Sequence, residues 1–274
     1  MTLSGRLAWE LTRLAARSGA MHLLPPRSGS PFVDRVRHLI RPGWAAAISV
    51  AADERRAIVL LIDEHGTPQF AAKVATDAAG SRSIAVEAEQ MEHLTPFLAT
   101  PLSAPRVIER GDGILVLSAV RWLPRWRPWY LTASLAAAIG RFHGTAHGTS
   151  RAPGHGDFAP WNVMRTSTGW AVLDWEDASV SAPHYADPFH FLVQGHALLG
   201  RPRAEELLVG LDGRGWVGRA LRAYASAAGL THVLPRDAMV GYLEQSMPSR
   251  GDRPDHVRGR RARSALLRHL AAGR

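Results

Sequence analysis

Two short segments hold the residues best suited to chemistry. One reads His155-Gly156-Asp157-Phe158-Ala159-Pro160-Trp161-Asn162, the other Ala171-Val172-Leu173-Asp174-Trp175-Glu176. Two carboxylates and an amide in this order suit phosphoryl transfer from ATP, which depends on positioning and charge neutralisation. One carboxylate must orient the acceptor hydroxyl and take its proton, and Asp157 fits that role. A second carboxylate and an amide oxygen must hold Mg²⁺ on the phosphates, because this hard cation prefers oxygen ligands. Asp174 and Asn162 fit there. Val163 and Met164, a turn, and the strand-like run 169–173 would form a hairpin that brings the two metal ligands together. Asp157 and Asp174 could each be an ordinary turn or cap carboxylate, but that leaves the paired segments unexplained.

The spacing carries a resemblance. His-Gly-Asp followed by four residues and Asn, then Asp-Trp-Glu after a hydrophobic position, resembles the catalytic and metal-binding motifs of the aminoglycoside phosphotransferase and choline kinase superfamily. These are distant relatives of protein kinases. The resemblance implies an α+β, bilobal, protein-kinase-like fold. Its N-lobe would be a five-stranded antiparallel sheet with one helix, and its C-lobe mainly helical. Residues 1–117 would bind the nucleotide, with 1–43 as an extension; 118–122 would be the hinge, and 123–274 the catalytic and acceptor-binding lobe. His155 is then a structural support of the catalytic loop with no part in proton transfer. Glu176 is either a carboxylate behind the metal ligands or a partner of a nearby arginine. Asp187, downstream, either anchors the catalytic loop or lines the acceptor site with His184, Tyr185, His190 and Gln194.

The first lobe must supply a lysine on its third strand for the α/β-phosphates and a helix glutamate to hold it. Lys73 is the only lysine in a chain with 33 Lys plus Arg, and it lies in Phe70-Ala71-Ala72-Lys73-Val74, the third strand candidate. An ammonium is a compact point charge that a guanidinium fork does not replace at a tight phosphate site. Glu87 is the favoured partner, with Glu89 the alternative. The backbone of Ser118, Ala119 and Val120 would receive the adenine edge. No G-x-G-x-x-G lies between the first two strands, and residues 52–56 contain no glycine. The nucleotide is therefore ATP with GTP left open, and Arg55 and Arg56 either meet phosphate or face solvent.

The elements follow from the apolar pattern. Short apolar runs over 45–51, 57–63 and 69–75 read as strands, with His65-Gly66-Thr67-Pro68 as a hairpin turn. Residues 83–98 read as a helix, and 106–109 and 113–119 as two more strands. Helical periodicity then covers 131–143, 202–227, 236–245 and 258–272, besides an N-terminal helix over 6–16 and a Pro-, Ser- and Gly-rich loop over 24–31.

Composition bounds the rest. A chain of 274 residues, 46% hydrophobic and 21% charged, is globular. It contains no cysteine, which excludes disulfides and thiol chemistry. No apolar run spans a bilayer, no secretory signal opens the chain, and a cytoplasmic location is expected. The net charge of +9 reflects arginine spread along the chain and does not point to nucleic acid. Only 258–268 clusters arginines, and a solvated helix face is the expectation there. From residue 182 onward, 14 Arg face 8 Asp or Glu. That balance favours a sugar or another hydroxylated metabolite over a polycationic aminoglycoside as the small-molecule acceptor. Trp122, Trp126 and Trp129 offer either a stacking platform or packing. A peptide Ser/Thr acceptor and an inactive ATP-binding scaffold are the alternatives. The oligomeric state is not legible.

Overall fold

The computed structural model describes residues 31–50, 55–144, 151–230, 235–246 and 254–272. The helix expected over 6–16 lies outside these residues, as do most of the 24–31 loop and of the 52–56 loop. The described residues form two compact units, one comprising residues up to 91 with 105–121, the other 92–104 with everything from 122 on.

The first unit is built on a five-stranded antiparallel sheet. Its strands are β1 (Ala45–Val50), β2 (Arg56–Ile62), β3 (Pro68–Ala75), β5 (Val107–Gly111) and β6 (Ile114–Ser118), in the order β1-β2-β3-β6-β5. β3 is therefore central, and Lys73 pairs with Ile58 on one side and Leu115 on the other. Alternation along the strands separates two faces. Val59, Leu61, Ala72, Val74 and Val116 form one core with Val36, beneath the short α1 (Pro31–Asp34) and the residues after it. The turn between β2 and β3 is organised by Asp63. Its Oδ1 accepts the amides of His65 and Thr67 at 3.0 and 2.8 Å, and its Oδ2 the side-chain amide of Gln69 at 2.6 Å.

Helix α2 (Ala78–Leu94) begins five residues before the apolar periodicity starts, because Asp77 Oδ1 accepts the Gly80 amide at 2.6 Å and caps the first turn. Its buried face is Gly80, Ile84, Glu87, Ala88, Met91 and Leu94, a helical stripe with one carboxylate in it. The helix stops at Leu94, where Thr95–Phe97 tightens into a 3₁₀ turn around Pro96.

The second unit contains α3 (Ala133–Gly144), α4 (Ala186–Leu199), α5 (Ala204–Leu211), α6 (Gly215–Ala227), α7 (Pro235–Gln245) and α8 (Pro254–Ala272). Periodicity suggests one helical stretch over 202–227, yet the structure divides it. Arg214 and Gly213 donate to the carbonyls of Val209 and Gly210 at 3.1 and 2.9 Å, with Gly213 at φ +79°. That is a Schellman ending, and it reverses the chain so that α5 and α6 pack together. Short strands complete the unit. β8 (Val163–Arg165) and β9 (Trp170–Val172) form the expected hairpin, β4 (Leu102–Ser103) adds to β9 in parallel, and β7 (Arg151–Gly154) pairs β10 (Ser179–Pro183). β4, β7 and β10 are too short for alternation to reveal them. Among the described residues no helix is long and apolar enough to cross a membrane.

Candidate active site

In the first unit Lys73 extends from the central strand to α2, where its Nζ lies 2.6 and 2.5 Å from the two carboxylate oxygens of Glu87. Both residues are buried, Glu87 completely. Glu89 sits on the exposed side of the same helix. Two residues along a helix turn a side chain by about 200°, so only one of the pair can face the sheet.

At the end of β6 the backbone is more committed than the sequence suggests. The Ser118 amide donates to the Arg106 carbonyl at 2.9 Å, and the Ser118 hydroxyl accepts the Arg106 amide at 2.9 Å. The Ala119 amide donates to Gln69 O at 2.9 Å. Both amides are thus committed to neighbouring backbone within the first unit.

In the second unit the segment His155–Asn162 turns between β7 and β8. Gly156 adopts φ +80°, and a Cβ there would come within 2.1 Å of the Asp177 carbonyl. Only glycine allows this turn. Asn162 donates through Nδ2 to both Asp157 O (3.0 Å) and Asp157 Oδ2 (2.8 Å). With its amide hydrogens spent on Asp157, the Asn162 side-chain oxygen is left to accept or to ligate. The Leu173 amide donates to Asn162 O at 2.8 Å, which extends the β8–β9 ladder and sets Asp174 beside Asn162 at the hairpin's open end. Asp174 itself lies at φ +68°, in the left-handed region sparsely used by residues other than glycine, asparagine and aspartate.

His190 on α4 completes the surroundings of Asp157. Its Nε2 stands 2.8 Å from Asp157 Oδ1, an ion-pair distance outside hydrogen-bond alignment. Burial disfavours the Asp157 carboxylate, but the His190, His155 and Asn162 contacts outweigh it and hold its pKa below the ordinary value. Asp177 goes the other way. Lost hydration, then the negative charges of Glu176, Asp157 and Asp174, push its pKa up. Glu176 thus contributes charge to an acidic neighbourhood.

Three buried groups fix this loop in place. The Asp187 carboxylate accepts the backbone amides of His155 (2.8 Å) and Gly156 (3.1 Å), and its Oδ2 lies 3.0 Å from His143 Nε2. His143 Nδ1 in turn meets the Tyr224 hydroxyl at 2.7 Å. Burial works against the Asp187 carboxylate, but these donors hold its pKa below the usual range. His155 is fully buried between Phe158 and Trp175, its Nε2 3.0 Å from Leu173 O. Burial lowers its pKa, so it is a neutral donor that ties the Asp157 loop to the strand end carrying Asp174. Arg125 holds the other side. Its guanidinium donates to the carbonyls of Pro160 (3.2 Å), Val163 (2.9 Å) and Pro128 (2.8 Å) and lies over the rings of Trp170 and Phe191. Burial pushes its pKa down to about 10.

Sequence reasoning missed His143, Tyr224 and Arg125. A histidine on a buried helix face is the one signal that could have drawn attention to His143, whereas nothing separates Arg125 from its many arginine neighbours. Two expectations need correction. Tyr185 is 1% exposed and stacks on Phe189, so it belongs to the core and does not line an acceptor site. Arg263 is not on a solvated helix face: it is 3% exposed and donates to Ser246 Oγ and Gly259 O. Trp126 is 88% exposed and contributes no packing.

The donor set of Asn162 and Asp174, two oxygens among further carboxylates, fits a hard divalent cation. Among the described residues no three His, Asp or Glu side chains are grouped closely enough to cage a metal alone. An ion held here would share its coordination with oxygens of a ligand, as Mg²⁺ does with phosphates.

Residues 119–230 match the model of the phosphotransferase enzyme family, and that stretch contains both chemistry-bearing segments. No curated protein sequence matches the chain. Among solved structures, the chain is similar to APH(2'')-IIa in its ternary complex with streptomycin and ATP. The TM-score is 0.55 at 11% identity, over 81% of this chain and 90% of that one. The apoenzyme of macrolide 2'-phosphotransferase MphH from Brachybacterium faecium gives 0.54 at 14% identity, over 89% and 93%. Amicoumacin kinase hAmiN, in complex with AMP-PNP, Ca²⁺ and Ami, gives 0.50 at 10% identity, over 88% and 94%. At such identities the likeness is one of fold, the kinase-like α+β architecture.

Proposed function

We propose that this chain is a phosphotransferase that moves the γ-phosphoryl group of Mg-ATP to a hydroxyl of a small molecule, a reading supported by the match of residues 119–230 to the phosphotransferase enzyme family. The observation that carries this reading is the arrangement around Asp157: its carboxylate kept ionised, one oxygen tied to Asn162, and Asp174 brought alongside Asn162 by the β8–β9 hairpin. The ATP complex of one structural neighbour and the AMP-PNP complex of another support ATP as donor.

In this reading residues 1–117 bind the nucleotide, 118–122 are the hinge and 123–274 carry catalysis and the acceptor. Lys73, fixed by Glu87, contacts the α/β-phosphates, and the backbone at Val120 reads the adenine. Asn162 and Asp174 hold Mg²⁺, which when bound would neutralise charge on the phosphates. Asp157 orients the acceptor hydroxyl. As the new O–P bond forms and the bond to the β-phosphate oxygen breaks, the hydroxyl proton passes to Asp157 and ADP leaves. His155 and Asp187 position the loop and exchange no proton. The donor implies a cytoplasmic reaction.

Streptomycin and macrolides are named for two of the neighbours. The Arg-rich second half of this chain supports a sugar or hydroxylated metabolite ahead of a polycation. The test is a screen with labelled ATP over sugars, aminoglycosides, macrolides, choline-like alcohols and peptides. Label transfer to a small alcohol, lost in Asp157→Ala while Mg-ATP still raises the melting temperature, is the expected result. Near-full activity of Asp157→Ala, or no thermal response to millimolar Mg-ATP, would overturn it.

A further inference from the structure

We propose that His190 is a positioning residue for the reaction, held in one tautomer between Tyr242 and Asp157 so that its Nε2–H fixes the orientation of the Asp157 carboxylate. This rests on Asp157 being the acceptor-facing carboxylate.

The observation is a chain of contacts running from α8 to the catalytic loop. Arg263 donates through Nε to Ser246 Oγ at 3.1 Å and through Nη1 to Gly259 O. The Ser246 amide donates to the Tyr242 carbonyl at 2.8 Å, and the Tyr242 hydroxyl stands 3.2 Å from His190 Nδ1. An ionised carboxylate only accepts, so the ring nitrogen that faces Asp157 is the one that carries the hydrogen, and the Tyr242 phenol sends its own to Nδ1. Nδ1 is then the acceptor of the ring. In a neutral imidazole the remaining hydrogen must sit on Nε2, the atom 2.8 Å from Asp157 Oδ1.

Nε2 is closed off from solvent and has no aligned hydrogen-bond partner. A small rotation of the ring aligns it with the carboxylate, which is the one acceptor shown beside it. Asp157 is then gripped at both oxygens, Oδ2 by Asn162 and Oδ1 by His190. One lone pair of Oδ1 is taken, and the other is aimed for a hydroxyl.

The experiment has two arms. Side-chain nitrogen NMR of the whole protein at neutral pH, assigned with His190→Gln, should show His190 with its hydrogen on Nε2 and Nδ1 bare. In Tyr242→Phe the Nδ1 resonance should shift. Phosphate release from Mg-ATP with water as acceptor is the second arm. His190→Ala should lower kcat roughly tenfold to a hundredfold, the cost of a misplaced reacting group, with KM for ATP nearly unchanged. His190→Gln, whose side-chain amide reaches the same place as Nε2, should recover most of it, and His190→Asn less. A hydrogen found on Nδ1, or a fully active His190→Ala, overturns the inference and leaves the phosphotransferase reading intact. A protein that neither binds Mg-ATP nor releases phosphate sinks both.

Discussion

Lys73 meets both carboxylate oxygens of Glu87, at 2.6 and 2.5 Å, and both side chains are closed off from water. The pair welds the central strand to α2. Removing one member strands the other charge in a buried site, which costs about 3–5 kcal/mol. Glu87→Ala should therefore lower stability by that amount in urea denaturation, and raise KM for ATP as the ammonium drifts. Lys73→Arg should not restore either property, since a planar fork does not fit a point-charge site. Wild-type stability in Glu87→Ala would show that the pair is not a structural tie.

Arg125 supports the catalytic loop through Pro160 and Val163, the carbonyls on either side of Asn162. Its Nη1 donates to both of these carbonyls while Nη2 reaches Pro128 O, a spread over two nitrogens that a single ammonium nitrogen does not reproduce. Arg125→Lys and Arg125→Ala should both reduce kcat roughly tenfold or more by loosening Asn162 and Asp157. Steady-state kinetics alongside a melting curve separate this from unfolding. A fully active Arg125→Lys would show that charge alone suffices.

How legible was this arrangement? The strands around Lys73 announce themselves because their apolar residues alternate and the turns between them are polar. The Asn162–Asp174 hairpin is equally readable, because both ends carry residues that chemistry needs. Glu87 could be preferred over Glu89 only by register, and burial makes that choice physical. What stayed hidden is the layer behind the site. Asp187, His143 and Tyr224 are joined by hydrogen bonds across 32 to 81 positions, a separation no local pattern encodes. Arg125 and Arg263 were hidden for a different reason: in a chain with 33 Lys plus Arg, composition drowns the half-buried Arg125 and the buried Arg263.

The buried histidine and aspartate behind the loop give stability a pH signature. The Asp187 carboxyl titrates below its ordinary value in the folded protein, so the unfolded chain takes up the proton first as pH falls. Its contribution is complete above about pH 4 and is lost as pH drops through the lower folded value. His155 has the same sign, because burial depresses its pKa. Its penalty begins below about pH 6.5, with a slope of up to about 1.4 kcal/mol per pH unit. Denaturation as a function of pH should thus show stability falling first below neutrality and again in strong acid. His155→Gln should flatten the first fall and Asp187→Asn the second. An unchanged profile in His155→Gln would mean that folding leaves the pKa of this ring where it was.

Asp174 should trade stability for function. It sits at a left-handed φ of 68°, which asparagine tolerates about as well, so Asp174→Asn keeps the backbone while removing a charge. That charge adds to the repulsion that, after lost hydration, raises the Asp177 pKa. Without Mg²⁺ the variant should gain stability, by about 0.5–2 kcal/mol as in other relieved functional sites. With Mg-ATP the order should reverse, since the variant has lost a ligand oxyanion and with it most of the thermal shift. Asp157→Asn, whose side chain is assigned to the acceptor, should keep that shift while losing turnover. Melting curves of the three proteins across a Mg²⁺ titration at fixed ATP read this directly. If Asp174→Asn responds to Mg-ATP as the wild type does, the metal is held elsewhere.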